Sequence, residues 1–145
     1  MNRNLTILII EDSEPDRFFL ERAFKKCEFS NPLQEATSAV EALNYLGGSE
    51  RFSDRTKYPF PSLIISNLRI GLEVLKWVRA HPEHFVIPVL FLQDSTTDEN
   101  LKAAYRLGAN ACLSRPSSPK ELEKLLLVTA DFWSRCDKPA MPNSL

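Results

Sequence analysis

The sequence predicts an α/β fold in which a doubly wound sheet of five parallel strands carries helices on both faces. Three short apolar runs, at residues 5–10, 63–65 and 86–92, are rich in branched side chains and nearly continuous. Continuous rather than alternating apolarity indicates strands that are covered on both faces. Helical patterns lie between the runs, so that strand and helix alternate five times, which favours right-handed crossovers onto a parallel sheet.

Each remaining element follows from its own pattern. Residues 33–38 and 109–114 are more polar than the other runs, so we expect these two strands at the edges of the sheet. The first helix spans residues 14–27, with Ser13 as its N-cap. It buries a face with helical spacing, formed by Leu20, Ala23, Phe24 and Cys27.

The other four helices have equally clear limits. The second spans residues 39–46 and stops at two glycines. The spacing of Leu72, Val74, Leu75 and Val78 marks the third. Capping-box patterns that start at Thr96 and Ser118 open the fourth and fifth helices, which end at Gly108 and near Trp133.

Length and composition restrict the classes of protein. A chain of 145 residues favours one domain, which we assign to residues 1–136, followed by a Pro-rich flexible tail at 137–145. The net charge of -1 gives no reason to expect nucleic-acid binding, and no apolar stretch reaches the roughly 18–20 residues that cross a bilayer. Three cysteines without C-x-x-C spacing favour reduced thiols in a cytoplasmic protein.

Polar side chains follow four of the predicted strands, where ligands of open parallel sheets gather. They form a candidate pocket of acids, amides and a guanidinium: Glu11-Asp12, Ser66-Asn67, Gln93-Asp94 and Ser114-Arg115-Pro116. For any single residue, a solvated turn is the simpler interpretation. Adjacent acids directly after a buried strand, together with a basic residue before proline on another strand, favour a site.

These motifs resemble the receiver domain of two-component response regulators. The resemblance covers residues 5–133 and rests on LTILIIEDSEPD, PSLIISNL, GLEVLKWVR, IPVLFLQDS and LGANACLSRPSSPKEL, in that order. The ending VTADFWSRCDKP is also similar to single-domain receivers associated with phytochrome-type kinases. The resemblance implies a flavodoxin-like fold with strand order 2-1-3-4-5 and a non-enzymatic role in phosphorelay signalling.

The phosphoryl pocket of the family maps onto the ends of the first and third strands. Glu11 and Asp12 keep the acidic pair that holds Mg²⁺ in the family, but Asn67 stands at the position of the phosphoryl-accepting Asp. Because acyl phosphates form on carboxylates, the neutral amide is not expected to take a phosphoryl group. With one carboxylate fewer, Mg²⁺ should bind weakly or not at all, with help only from the backbone carbonyl near Arg69. No other cofactor is expected.

The switch positions of the family are altered as well. Gln93 replaces the Thr or Ser after the fourth strand, Cys112 replaces the aromatic switch residue, and Arg115, before Pro116, replaces Lys. Gln93 is too long to reproduce the motion of a hydroxyl, and Cys112 has no ring to rotate, so no two-state switch is expected. The loop after the acceptor position is also short, since only residues 68–70 precede the glycine expected to open the third helix.

These departures predict a degenerate receiver with a closed, self-neutralised pocket. The Asn67 amide can donate to a neighbouring carboxylate, and Arg115 can pair bidentately with Asp12 or Glu11. Such a cluster needs neither metal nor phosphate. The domain would then act by protein contact, independently of Asp phosphorylation.

The resemblance also implies the partners and the face that binds them. We expect a sensor kinase or another signalling protein, or a second copy of the chain, to bind the surface at residues 97–133. We expect neither nucleic acid nor membrane as a partner. Aromatic side chains dominate interface energies, and the candidate anchors are Tyr105, Leu126, Phe132 and Trp133. Core packing is the competing interpretation, and it is favoured for Leu126.

Two alternatives stay open. A working phosphorelay receiver would need a substitute acceptor, either Asp94, expected to point away from the pocket, or Ser66, expected to face the other side of its strand. A flavin or nucleotide binder shares the sheet order, but the acids after the first strand would repel phosphate. The i, i+3 pair His81 and His84 is a weak metal signal and fits surface residues better.

Overall fold

The chain forms a five-stranded parallel sheet with the predicted order β2-β1-β3-β4-β5. The computed structural model describes residues 5–27, 32–81 and 86–137, so most of the expected tail and His84 lie outside the described residues. The strands are β1 (Ile7–Ile10), β2 (Gln34–Ala36), β3 (Leu63–Ser66), β4 (Val89–Gln93) and β5 (Ala111–Ser114). As predicted, the two more polar strands, β2 and β5, lie at the edges.

Five α-helices connect and cover the strands. They are α1 (Glu14–Lys25), α2 (Ala39–Gly47), α3 (Leu68–Ala80), α4 (Asp98–Arg106) and α5 (Pro119–Arg135), and a 3₁₀ turn, Glu50–Ser53, follows α2. The predicted caps Ser13 and Ser118 accept hydrogen bonds from the first turns of α1 and α5. The cap of α4 is Thr97 rather than Thr96, because the Thr97 side chain accepts from the backbone N–H of Asn100. None of the helices in the described ranges is long and apolar enough to cross a membrane.

Two apolar layers hold the helices to the sheet, one on each face. Alternate residues of the central strands enter opposite layers: Leu8, Ile10 and Ile64 pack with α2 and α3, whereas Ile7, Ile9 and Ile65 pack with α1 and α5. All residues of β1 and β3 are buried. Burial on both faces explains why these strands show continuous apolar runs.

The start of α3 differs from the sequence expectation. Residues 68–70 were expected to form a short loop before a helix opened by Gly71, but α3 begins at Leu68 and has Asn67 as its N-cap. Asn is among the best N-cap residues because its side-chain oxygen can accept from a free N–H of the first turn. Residues 68–70, which were expected to form a short loop, are therefore the first residues of the helix.

Gly71 allows this early helix start because it lies against the sheet. A Cβ atom placed on Gly71 would lie 2.3 Å from Ser66 Oγ and 2.4 Å from Phe91 Cε1. Ser66 and Phe91 are themselves buried, in neighbouring positions of β3 and β4. The first turn of α3 can therefore lie this close to the strands only because residue 71 has no side chain.

We expect Gly71→Ala to lower the free energy of unfolding by about 1–3 kcal/mol, because the added methyl group overpacks a closed layer. Urea denaturation at fixed pH measures the change. Gly47→Ala is the matched control, since the nearest atom to its Cβ is Ser49 Oγ at 3.7 Å. An equal loss in both variants, or no loss at Gly71, would show that the close approach of α3 does not matter.

Candidate functional site

The carboxyl ends of β1, β3, β4 and β5 converge on one cleft. It has a volume of about 550 Å³ and is bordered by Glu11, Asp12, Asn67, Gln93 and Arg115, among others. Backbone hydrogen bonds beyond the strand ends fix several of these positions: Asn67 N–H donates to Ile10 O at 3.1 Å, and Arg115 N–H donates to Gln93 O at 2.7 Å. The predicted convergence is therefore present.

Asn67 uses both ends of its amide. Its Nδ2 donates to Glu11 Oε2 at 2.8 Å and to Asp12 Oδ1 at 3.2 Å. Its Oδ1 accepts from the backbone N–H of Ile70 at 2.9 Å, which caps α3. The amide hydrogen bonds to the acidic pair are those expected from the sequence, whereas the bond to Ile70 was not expected.

Glu11 is a buried acid held by donors from three directions. Only 5% of the residue is exposed. Its Oε2 accepts from Ser13 N–H at 3.1 Å as well as from Asn67, and its backbone carbonyl accepts from Arg17 Nη1 at 2.9 Å. Burial raises the pKa of the Glu11 carboxyl, while the hydrogen bonds from Ser13 and Asn67 act in the opposite direction.

Arg69 lies over Asp12. A single guanidinium nitrogen, Nη2, is 2.7 Å from both Asp12 Oδ1 and Asp12 Oδ2. This hydrogen bond to Arg69 is the main reason why the pKa of Asp12 is lowered. Sequence reasoning considered only the backbone of Arg69. Its side chain reaches the acid from the second position of α3, which begins at Leu68, three residues before the expected start at Gly71.

Arg115 does not pair with Glu11 or Asp12, which corrects the sequence expectation. Its side chain is only 11% exposed, and its Nη2 lies 3.6 Å from Asp16 Oδ1. Asp16 stands in the first turn of α1, and both residues border a second cleft of about 450 Å³ between α1 and the start of α5. Arg115 therefore pairs with Asp16, on the α1 side of the site. Arg69, rather than Arg115, contacts Asp12.

The remaining switch positions lie around these groups. Gln93 is half-buried, and its Oε1 has no hydrogen-bond partner among the described residues. Cys112 is half-buried against the α3 side of the core, where burial raises the pKa of its thiol. Its backbone N–H donates to the Tyr105 hydroxyl at 3.0 Å. Pro116 borders the cleft beside α1 rather than the acidic cleft.

The candidate anchors at residues 97–133 fall into two groups. Tyr105 and Phe132 are exposed, and Trp133 is half-buried, packing against the core and edge-on to Phe132 at 5.2 Å between ring centroids. Leu126 is a core residue with 1% exposure. The core interpretation is therefore correct for Leu126. Of the four candidate anchors, Tyr105, Phe132 and Trp133 remain.

The alternative candidates Ser66, Asp94 and His81 lie in three different environments. Ser66 is buried and donates from Oγ to the Asn67 carbonyl at 2.8 Å, under Gly71. Asp94 is exposed and borders both clefts. His81 stacks on Trp77 with 3.9 Å between ring centroids. In the described ranges, no group of three His, Cys, Asp or Glu residues could hold a metal ion.

A family model decides the assignment of this fold and cleft. Residues 7–127 match the response regulator receiver domain. The chain belongs to this family. The match favours signalling over flavin or nucleotide binding, since receiver domains are signalling modules that interact with kinases and other signalling proteins.

Several known proteins resemble this receiver domain over most of its length. It is 28% identical over 131 residues to the probable methanogenesis regulatory protein FilR2 of Methanothrix harundinacea, covering 88% of this chain and 82% of that protein. The response regulator RPA3017 in red light signalling of R. palustris superposes with a TM-score of 0.86 at 25% identity, over 94% of this chain and 99% of that one. The bacteriophytochrome response regulator RtBRR superposes with a TM-score of 0.72 at 26% identity, over 98% and 84%. The similarity to phytochrome-associated receivers is thus confirmed.

We expect Asn67→Asp to destabilise this receiver domain by about 1–3 kcal/mol at neutral pH, because it removes two hydrogen bonds and adds a third carboxylate. The neighbouring acids raise the pKa of the new carboxyl in the folded state above its unfolded value. The folded state then binds the proton more strongly, so the stability loss is small near pH 4 and grows as the pH rises to about 8.

Thermal and urea denaturation of this variant, in metal-free buffer at several pH values, measure the effect. Asn100→Asp provides the control, because it makes the same substitution at an exposed position in the first turn of α4, where a negative charge is favourable. A pH-independent loss, or none, would show that the Asn67 amide does not hold the acidic pair.

Proposed function

We propose that this chain is a pseudo-receiver, a response-regulator module that transmits signals by protein contact without Asp phosphorylation. The observation that carries the proposal is the state of the acceptor position. Asn67 stands there with both its nitrogen and its oxygen engaged, the nitrogen by the acidic pair and the oxygen by the first turn of α3.

The chemistry of the amide opposes phosphoryl transfer. A carboxylate oxygen attacks phosphorus because it carries negative charge, whereas the amide oxygen is neutral and the amide nitrogen lone pair is delocalised. Asn67 Oδ1 is also turned toward Ile70 N–H. Attack by this atom would break the cap of α3, so both the reactivity and the geometry of the side chain oppose the reaction.

The site also lacks parts that would report a phosphoryl group to the surface. Gln93 stands where the family uses a hydroxyl, and Cys112 has no ring that can rotate between two positions. Tyr105, the nearby aromatic residue on α4, already accepts a hydrogen bond from the backbone of Cys112. A ligand shifts a conformational equilibrium only if it binds two states differently, and these residues offer no second state.

The proposed contact surface is formed by α4, β5 and α5. On α5, Val128 and Phe132 are one helical turn apart and are exposed together with Leu127. Tyr105 adds a half-exposed ring from α4. Aromatic side chains such as Tyr105 dominate the energy of binding hot spots. We propose a sensor kinase or another signalling protein as the partner, and a second copy of the chain as the alternative occupant.

Treatment with acetyl phosphate and excess Mg²⁺ tests the chemistry. We expect the intact mass of the protein to stay unchanged, because no ionised oxygen is present at the acceptor position. A receiver with an Asp acceptor, treated in parallel, should gain one phosphoryl group. A hydroxylamine-sensitive phosphoryl group on this chain would overturn the proposal, and its location on Asp94 would support the substitute-acceptor alternative.

Phe132→Glu tests the contact surface. We expect the variant to lose the signalling protein that co-purifies with the wild-type chain from native cells, because a charge replaces an interface ring. Phe18→Glu is a closely matched control: Phe18 is 56% exposed on α1, and Phe132 is 59% exposed on α5. Each ring also packs edge-on against the next residue. Retention of the partner by Phe132→Glu, with loss in Phe18→Glu, would place the interface on α1.

A further inference from the structure

The acidic pair accepts hydrogen bonds from N–H groups of three residues, Ser13, Asn67 and Arg69. Glu11 accepts from Ser13 N–H and Asn67 Nδ2, and Asp12 accepts from Asn67 Nδ2 and Arg69 Nη2. A divalent cation needs several oxygen ligands that converge on one point. Here N–H groups converge on the acids instead, so the residues present do not fit the Mg²⁺ ion that the family implies.

We propose that Arg69 is the resident cation of this pocket and excludes divalent metal from Asp12. One guanidinium nitrogen lies 2.7 Å from both carboxylate oxygens of Asp12, so a positive charge already contacts both oxygens. This inference deepens the proposed function, because it adds a second barrier to phosphoryl chemistry that does not depend on the missing nucleophile.

The backbone of α3 removes a further ligand. Arg69 is the second residue of α3, so its carbonyl points along the helix axis toward an N–H of the next turn. A loop carbonyl at this place was the ligand expected to assist weak Mg²⁺ binding. The same early helix start therefore takes the carbonyl away and brings the guanidinium in.

The position of Arg69 in the helix supports a specific role. The N-terminus of a helix carries partial positive charge, so a cation in the first turn is unfavourable by itself. The first turn of α3 contains no acidic residue, whereas α1, α2, α4 and α5 each have one or more there. Asp12 thus compensates both the Arg69 guanidinium and the end of the helix.

Binding of Mn²⁺, followed by the EPR signal of the free ion, tests the inference in four proteins: wild type, Asn67→Asp, Asn67→Asp/Arg69→Ala and Asn67→Asp/Arg106→Ala. Arg106 is exposed in the last turn of α4 and serves as the control for the loss of one positive charge. We expect the Arg69 double variant to bind Mn²⁺ about tenfold more tightly than Asn67→Asp alone, and the Arg106 double variant to bind within about twofold of it.

Equal Mn²⁺ affinity in Asn67→Asp and its Arg69 double variant would overturn the role of Arg69 while leaving the proposed function intact, since the wild-type chain would still lack a nucleophile. Circular dichroism establishes that each variant is folded. If Asn67→Asp does not fold, Arg69→Ala and Arg106→Ala in the wild-type background carry the same comparison. A larger gain in Mn²⁺ affinity for Arg69→Ala supports the proposal, and equal affinities overturn it.

Discussion

The amide of Asn67 joins three parts of the fold. Its oxygen caps α3, and its nitrogen holds Glu11 and Asp12 at the end of β1. A carboxylate could still cap the helix at this position, but it could not donate to the acids. Only an amide of this length satisfies both requirements, so the substitution that removes the nucleophile also creates the junction between β1, β3 and α3.

This junction gives the acidic pair a structural use. In the other four α-helices, acids in the first turn face the positive end of the helix. For α3 the corresponding negative charges come from Glu11 and Asp12, which follow the neighbouring strand β1. The two acids therefore stabilise a helix end. The first turn of α3 then lies close to the strands, where a Cβ atom on Gly71 would collide with Ser66 and Phe91.

The sequence predicted the sheet and the acceptor pocket because both depend on local patterns. Continuous apolar runs indicate buried parallel strands, and the end of each strand fixes which residues reach the cleft. The partners of long charged side chains were not predictable in this way. Arg69 and Arg115 both lie within reach of acids, and only the packing of α1 and α3 decides that one meets Asp12 and the other Asp16. The N-cap preference of Asn is a local signal from which the early start of α3 could have been predicted.

Two groups oppose metal binding at the acidic pair, the Asn67 amide and the Arg69 guanidinium. A carboxylate at the position of Asn67 would repel Glu11, yet Arg69 would still cover both oxygens of Asp12. Removal of Arg69 alone would leave the amide N–H groups directed at the acids. The amide replaces the nucleophile and also donates to the acids, whereas the guanidinium covers only the oxygens of Asp12. Both groups stand at the start of α3, so their arrangement is a property of the β3–α3 connection rather than of a single residue.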